Sequence, residues 1–403
     1  MRCVVEYDHR HAPCLYPVYP VDSLFHAAKI RYSFELSKIL EKKLYLCRRM
    51  AKQRIAYIDA MRGFTMILVV FAHVCHFCLG DSRMGYNSIF ILFRLPCFFM
   101  LSGWLFAKYD FRHTGTVLYV SSEANYRGTV PCVTEIIKHK AMVQLLPTFI
   151  FLLLLAPPPE FFHQLGALKG GYWFTFVLFE FFILYILIER AGRIWSPILA
   201  VAITIASFFY ARYYDSLRSS AVGYQSQILD VLGFLSVTAW RLFLFFYIGA
   251  WMRRHFEAFV RWTSKPAIFL LISIAFFLIA STSHKDNLLF EMLRYYIGGI
   301  TGMWMVFTLF RLSASWLERS GVGKPLQYVG TRTLDIYMLH YFFLPRFLLP
   351  YAPQLQVYDS RLLEFVVIIV ISLMVVILCL ITSYIIRLSP FLGHYLFGVK
   401  SNS

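Results

Sequence analysis

The sequence predicts an all-α fold, that of a polytopic membrane protein with about ten transmembrane helices and both termini in the cytoplasm. Hydrophobic residues make up 59% of the 403 positions and charged residues only 15%, which is unusual for a soluble chain. The charges form short clusters between apolar runs of about 16 to 25 residues. Such runs cross a hydrocarbon core of roughly 30 Å at 1.5 Å per helical residue.

The apolar runs define ten predicted spans, each with boundaries uncertain by about three residues. They lie at residues 64–79, 88–107, 141–156, 172–188, 195–210, 231–252, 266–281, 292–310, 326–345 and 361–386.

Lys and Arg outnumber Asp and Glu by 39 to 22, and most of the excess lies in alternate connections between the spans. Basic clusters precede span one and follow spans two, four, six and eight, so the positive-inside rule puts these connections and both termini in the cytoplasm. A basic excess distributed in this way indicates a membrane orientation. It gives no reason to expect a nucleic-acid partner.

Residues 1–49 do not follow this pattern, because they are polar and contain the proline-rich stretch "APCLYPVYP". A second possible start occurs at Met50, just before the first apolar run. We interpret 1–49 as a flexible extension or a mis-assigned start, the alternative being a separate domain, and 50–403 as the membrane domain. The eight cysteines are scattered and do not form the pattern of a disulfide framework.

The stretch "YIDAMRGFTMILVVFAHVCH" opens the first span and carries the first candidate site residues, Asp59, Arg62 and His73. Arg62 and His73 are eleven residues apart, about three helical turns, so both lie on one face of the helix. His73 would lie about 16 Å deeper than Arg62, near the bilayer midplane. The alternative interpretation is a histidine that bonds to a neighbouring helix for packing alone.

The ninth predicted span, "YVGTRTLDIYMLHYFFLP", repeats this arrangement. His340 lies ten residues beyond Gly330, at a depth of about 15 Å, while Arg332 and Asp335 lie near the cytoplasmic end. Spans one and nine run in the same direction by the span count. We therefore expect His73 and His340 to face one chamber, which requires the two spans to be neighbours.

The second span, "FRLPCFFMLSGWLF", contains Arg94, Pro96 and the small pair Ser102 and Gly103. The small pair is expected to allow a close approach of helices. An arginine inside a membrane segment indicates a functional site by default, so Arg94 is expected to line a cavity. Glu180, in the fourth span, either pairs with Arg241 or takes part in chemistry.

The stretch "HVCHFC", from His73 to Cys78, contains the residue types of a metal or redox site. Zinc needs three or four ligands that converge, whereas neighbouring positions on a helix point in different directions. We therefore predict that there is no metal site and that none of the candidate site residues binds a metal.

"RIAYIDAMRGFTMILVVFAHV" resembles the opening of the acyltransferase 3 family of integral membrane O-acyltransferases. "FRLPCFFMLSGWLF" and "YVGTRTLDIYMLHYFF" resemble the second and a late helix of that family, and the similarity extends over roughly residues 52–400. A fucose O-acetylase-like subgroup is one option. Arg94 and Leu95, however, replace the His-Met pair that this subgroup often has before the proline.

The resemblance implies transfer of an acyl group, often acetyl, from cytoplasmic acyl-CoA to a hydroxyl of a sugar or similar acceptor. A hydroxyl needs a general base to attack a thioester, and we assign that role to His73. Arg62 would bind the phosphates of CoA, and Asp59 would orient Arg62. His340 would act on the acceptor or on the tetrahedral oxyanion.

The expected substrate-binding residues come from the positions described above, and the expected partners and location from the resemblance. The substrate-binding residues are Arg94, Tyr337, Arg332 and Asp335. Acyl-CoA is a co-substrate and no bound cofactor is expected. The partners are a saccharide or glycolipid acceptor and the lipid bilayer, and the location is a cell membrane, in particular the bacterial cytoplasmic membrane.

Two other classes of function remain open at this point. A proton-coupled exporter would also place histidine and arginine near the midplane, although the two halves of the sequence show no convincing internal repeat. A non-catalytic membrane scaffold would have little reason to carry charges at matched depths in two helices.

Overall fold

The structure is a computed structural model, and it describes most of the chain from Ile55 to Val399. The described ranges are 55–80, 85–111, 117–120, 127–130, 133–155, 169–282, 287–357 and 360–399. The predicted extension 1–49 lies outside the described residues.

Apolar residues with few helix breakers form long helices in the membrane domain. The first eight helices are α1 (Ala56–Leu79), α2 (Gly85–Phe106), α3 (Val133–Lys140), α4 (Leu146–Leu155), α5 (Trp173–Glu189), α6 (Trp195–Ser220), α7 (Tyr224–Phe234) and α8 (Phe243–Arg254). The remaining nine are α9 (Phe256–Thr263), α10 (Pro266–Ala280), α11 (Leu288–Leu312), α12 (Ala314–Arg319), α13 (Gly323–Thr331), α14 (Thr333–Phe343), α15 (Ala352–Val357), α16 (Arg361–Arg387) and α17 (Pro390–Phe397).

Shorter elements connect these helices. Three 3₁₀ turns lie at Lys169–Gly171, Val237–Leu242 and Arg346–Tyr351. Three short strands, β1 (Tyr109–Asp110), β2 (Val117–Val120) and β3 (Arg127–Val130), form an antiparallel sheet in the order β1-β2-β3 between α2 and α3.

The all-α polytopic membrane fold is confirmed. In the described residues, five helices are long and apolar enough to cross a membrane, or up to seven if two bent helix pairs each count as one span. The five are Ala56–Leu79, Ile89–Phe106, Val133–Leu155, Trp195–Ser220 and Arg361–Arg387. The number of ten spans and the cytoplasmic location of the termini remain predictions.

Two predicted spans are interrupted in the structure. The sixth, 231–252, is divided by a 46° bend between α7 and the segment that ends in α8, where Ser236 has a positive φ of 52°. The ninth, 326–345, ends its first helix at Thr331 and starts a second at Thr333. Arg332 between them leaves the helical conformation, with φ −115° and ψ 18°.

The third predicted span is also irregular, and it starts earlier than expected, at Val133. A π-helical turn, Ala141–Leu145, joins α3 to α4. Pro147 lies two residues after this turn and has no N–H to donate to the carbonyl group of Val143 within it, which favours a local departure from α geometry. Single π turns inside helices frequently occur at functional sites, and this turn contains Val143 and Gln144, which line a cavity described below.

Helix α1 lies at the centre of the fold. It contacts α2, α11, α12, α13, α14, α16 and the turn Arg346–Tyr351. Its contact with α13 is a crossing of two glycines. A Cβ atom at Gly63 would lie 2.0 Å from the Leu326 carbonyl oxygen, and one at Gly330 would lie 1.8 Å from that of Asp59. Only glycine fits at either position, so this pair brings spans one and nine together.

A second glycine pair joins α2 to α8. A Cβ atom at Gly103 would lie 1.9 Å from the Phe246 carbonyl oxygen, and one at Gly249 would lie 1.9 Å from that of Met100. Gly103 is therefore a packing residue, as its small size suggested. Ser102 donates to the Phe98 carbonyl oxygen at 2.8 Å and faces a cavity.

The predicted orientation can be tested by cysteine labelling in sealed membranes. Lys324 and Ser281 are both exposed in the structure. A cysteine in place of Lys324 is expected to react with an impermeant maleimide from the cytoplasmic side, and one in place of Ser281 from the opposite side. Labelling of both cysteines from the same side would contradict the predicted topology.

Candidate active site

Two neighbouring cavities lie along one face of α1. The first, the Arg62 cavity, has an empty volume of about 880 Å³, and the second, the His73 cavity, of about 620 Å³, part of each being open to the surroundings. Arg62 and Thr65 line the first, and Val69, Ala72 and His73 line the second. Arg62, Thr65, Val69 and His73 follow one another at intervals of three or four positions, which places them on one stripe of the helix, and Ala72 lies next to His73.

Half of the residues that line the Arg62 cavity are polar, and two of these, Arg62 and Lys140, are cationic. Its polar lining consists of Arg62, Thr65, Ser102, Lys140, Gln144 and Thr333, together with Thr175 and Tyr337. The described residues that line it include no carboxylate. Lys140 lies over the ring of Phe182, 4.5 Å from its centroid. A cavity with two cations and no lining carboxylate is suited to an anionic ligand such as a phosphate ester.

Arg62 lies near the N-terminal end of α1 and is held in place by two hydrogen bonds. Its Nη1 donates to Asp59 Oδ1 at 3.3 Å, and its Nη2 donates to Thr333 Oγ1 at 2.9 Å. Asp59 thus orients Arg62 across one helical turn, as the sequence suggested. Because Thr333 begins α14, the guanidinium group also bridges the first and ninth predicted spans.

The His73 cavity has an aromatic wall and two titratable side chains. Trp173, Phe174 and Tyr337 supply the wall, and His73 and Arg94 supply the charge-bearing groups. Arg94 therefore lines a cavity, as expected from its place inside a predicted span. A few polar groups inside an apolar wall are typical of small-molecule sites.

His73 makes its hydrogen bond through Nε2, which lies 3.1 Å from the hydroxyl oxygen of Tyr341. The same hydroxyl donates to the carbonyl oxygen of Gly171, also at 3.1 Å. Tyr337 donates to this carbonyl oxygen at 3.1 Å as well. Two tyrosines one helical turn apart therefore fix the Gly171 carbonyl group, and Tyr341 fixes the imidazole of His73.

Gly171 is required by this geometry. Its φ is +85°, and a Cβ atom there would lie 2.6 Å from the hydroxyl oxygen of Tyr341. Lys169 anchors the turn that carries it: its Nζ donates to the Phe234 carbonyl oxygen at 2.8 Å and to Ser236 Oγ, and it lies 3.8 Å from Glu180 Oε1. Burial lowers the pKa of Lys169 from its ordinary value, and the Glu180 carboxylate opposes that shift.

The ring of His340 contacts that of His73, with 4.8 Å between the two ring centroids. It is fully buried, and its Nδ1 is 2.8 Å from the Tyr337 carbonyl oxygen. A carbonyl oxygen can only accept, so Nδ1 carries the proton and Nε2 keeps its lone pair. The structure brings the two histidines together, but His340 is not among the described residues that line either cavity. Its position is that of a residue that supports His73.

Asp335 and Arg332 were expected to bind substrate, and their positions favour a structural role instead. Asp335 is buried and accepts from Arg387 at 2.8 and 2.9 Å, and also from Ser383. These contacts join α14 to α16. Arg332 Nη1 lies 3.9 Å from Asp335 Oδ2. Neither residue is among the described residues that line the two cavities.

The pairing of Glu180 with Arg241, one of two alternatives, is not what the structure contains. Glu180 accepts from Trp240 Nε1 at 2.8 Å and pairs with Lys169, while Arg241 lies over the ring of Tyr295. The reason is the break at Ser236, which turns the following segment relative to α7. In the described part of the chain, no three His, Cys, Asp or Glu side chains are placed to hold a metal ion.

Sequence reasoning missed Tyr341 and Gly171 and gave Lys140 only a topological role. Tyr341 could have been found, because it lies one helical turn after Tyr337 and hence on the same face of α14. Gly171 belongs to the stretch "GGYWF", whose paired glycines indicate a turn. Lys140 gave no such signal, since its place in the Arg62 cavity depends on the π-helical turn.

One of three comparisons with known proteins gave a match. A family model described as an acyltransferase domain, Acyl_transf_3, matches residues 55–384. No curated protein and no solved structure gave a match. The matched segment contains α1 with Arg62 and His73, both cavities, and α14 with His340 and Tyr341. The chain is an acyltransferase with several apolar membrane helices, and it belongs to the acyltransferase 3 family.

Proposed function

We propose that this membrane acyltransferase transfers an acyl group, acetyl in particular, from cytoplasmic acyl-CoA to a hydroxyl of a cell-surface or lipid-linked saccharide. The observation that carries the proposal is the arrangement along α1, where Arg62 and His73 line two adjoining cavities. One cavity is suited to a phosphorylated donor and the other to a neutral, hydroxylated acceptor.

The donor would enter the Arg62 cavity. Arg62 and Lys140 are positioned to contact phosphate groups of CoA, and the hydroxyl and amide side chains around them to contact the pantetheine arm. By the positive-inside rule this cavity lies towards the cytoplasm, where acyl-CoA is available. CoA is too highly charged to cross the hydrocarbon core, so only its acyl end would approach His73.

The acceptor would occupy the His73 cavity, where the aromatic wall gives a sugar ring an apolar surface. His73 accepts the proton of the attacking hydroxyl on Nδ1, because its Nε2 donates to the Tyr341 hydroxyl, whose own proton goes to Gly171. The hydroxyl oxygen at the same time forms a bond to the thioester carbonyl carbon. Arg94, in the same cavity, stabilises the negative charge that develops on the carbonyl oxygen. The carbon–sulfur bond then breaks, and the CoA thiolate takes up the proton that His73 had accepted.

The proposal is tested with membranes that contain the protein, [14C]acetyl-CoA and a panel of cell-envelope saccharides. We expect a labelled, base-labile ester on at least one saccharide. Replacing Lys140 by glutamine should raise KM for acetyl-CoA about tenfold or more, because a charge-assisted contact is worth at least about 1.5 kcal/mol.

Lys138 provides the matched control, because it lies on the same helix, is exposed and does not line the cavity. Lys138→Gln should leave KM for acetyl-CoA unchanged. Equal effects of the two substitutions would contradict the donor site. Proton-driven efflux from vesicles without ester formation would favour the exporter instead.

A further inference from the structure

Three aromatic side chains separate the Arg62 cavity from the His73 cavity. Phe98, Phe174 and Tyr337 line both cavities, and we call them the aromatic partition. The ring centroids of Phe98 and Phe174 are 4.9 Å apart, and those of Phe174 and Tyr337 are 5.7 Å apart. Rings at these distances are in contact and leave little open space between them.

The reacting groups lie on opposite sides of this partition. Arg62 and Lys140 line one cavity, whereas His73 and Arg94 line the other. This step rests on the proposed function: if the donor binds beside Arg62 and His73 is the base, the acyl group has to pass between the three rings. The width of that passage then limits which acyl groups reach His73.

The three rings are held to different degrees. The Tyr337 hydroxyl donates to the Gly171 carbonyl oxygen at 3.1 Å and accepts from the Phe174 N–H at 3.3 Å. The Phe174 ring is buried and also contacts Phe99, at 4.8 Å. Phe98 is half-buried and contacts Phe174 edge to face. Phe98 is thus the less buried of the two phenylalanine rings and has no hydroxyl group to anchor it, unlike Tyr337.

We propose that the aromatic partition selects the acyl group by its width, and that Phe98 is the ring that moves to let it pass. The substrate class that follows is a narrow, unbranched acyl group such as acetyl. Branched acyl groups are excluded because the fixed rings of Phe174 and Tyr337 leave only the space that Phe98 vacates.

The test compares three donors, acetyl-CoA, butyryl-CoA and isobutyryl-CoA, of which the last two are isomers that differ in branching. Release of the CoA thiol is measured with membranes containing the full chain and a mixture of methyl glycosides as acceptors. Phe98→Ala should raise kcat/KM for isobutyryl-CoA relative to acetyl-CoA by about tenfold or more, the size typical of steric discrimination in an apolar pocket. The increase for butyryl-CoA should be smaller.

Two controls separate width from volume. Leu101→Ala enlarges the Arg62 cavity, and Leu95→Ala enlarges the His73 cavity, without changing the partition. Neither substitution should change kcat/KM for isobutyryl-CoA relative to that for acetyl-CoA. A ratio that is unchanged in Phe98→Ala, or raised equally in either control, would overturn the proposal. If Phe98→Ala does not fold, Phe98→Leu is expected to raise the same relative kcat/KM, by a smaller factor.

The failure of this inference can be told from that of the proposed function. Unmodified protein that releases thiol from acetyl-CoA, with an unaltered donor preference in both Phe98 variants, would overturn the partition alone. Unmodified protein that uses none of the three donors would overturn the proposed function, and this inference with it.

Discussion

Replacing His73 by alanine is expected to lower acyl transfer by about 10²- to 10⁴-fold, the loss typical of a missing general base. The imidazole lines the His73 cavity, and its Nε2 lies 3.1 Å from the Tyr341 hydroxyl oxygen, which fixes its orientation. The measurement is the rate of ester formation from [14C]acetyl-CoA in membranes with equal amounts of protein. Insertion into the membrane should be unaffected, because alanine is tolerated in an apolar helix.

The matched control is His76→Ala. His76 lies on the same helix three residues later, is exposed and is not among the described residues that line the cavity. Its loss should leave the rate nearly unchanged. His340→Ala should have an intermediate effect, since His340 lies behind His73 and outside both cavity linings. A His73→Ala variant with near-normal turnover would return His73 to the role of a packing histidine.

Replacing Gly330 by alanine is expected to destabilise the protein strongly. The new Cβ atom would lie 1.8 Å from the Asp59 carbonyl oxygen and 3.1 Å from the Gly63 nitrogen. Overpacking a well-packed core costs about 1–3 kcal/mol, and here the obstacle is backbone that cannot rotate away. We therefore expect a lower thermal transition in detergent and less monodisperse protein in size-exclusion chromatography.

Gly321→Ala is the matched control for this substitution, because a Cβ atom at Gly321 would meet nothing within 4 Å. It should leave the thermal transition unchanged. The Gly330 substitution should also reduce activity in whatever protein still folds, since the crossing of α1 and α13 sets the position of α14 and of His340. A Gly330→Ala variant with normal stability and activity would contradict the close crossing.

Much of the site could be predicted from the sequence because it depends on one continuous helix. α1 runs without interruption from Ala56 to Leu79, so the eleven-residue spacing of Arg62 and His73 converts directly into one face and one depth. The same local logic identified Gly103 as a packing residue and Arg94 as a cavity residue. These are statements about one residue on one helix, and the period of the helix is enough to make them.

Other features could not be read from the sequence, because a residue's contacts depend on its partner. Asp335 resembled Asp59 by its spacing from an arginine, yet it accepts two hydrogen bonds from Arg387, 52 residues later in the chain. Glu180 bonds to Trp240 and lies beside Lys169, because the chain bends at Ser236. Spacing within one helix carries no information about such distant partners.

By itself, the sequence determined the membrane class, the apolar helices and the placement of Arg62 and His73 on one face of α1, because composition and helical period are local properties. Only the tertiary structure decided that Tyr341 bonds to His73 across 268 residues, and that Phe98, Phe174 and Tyr337 separate two cavities. Those contacts depend on how helices cross, and the crossing of α1 and α13 is set by Gly63 and Gly330 together. Which two glycines meet is a property of the packed protein, since each is compatible with many neighbours when read alone.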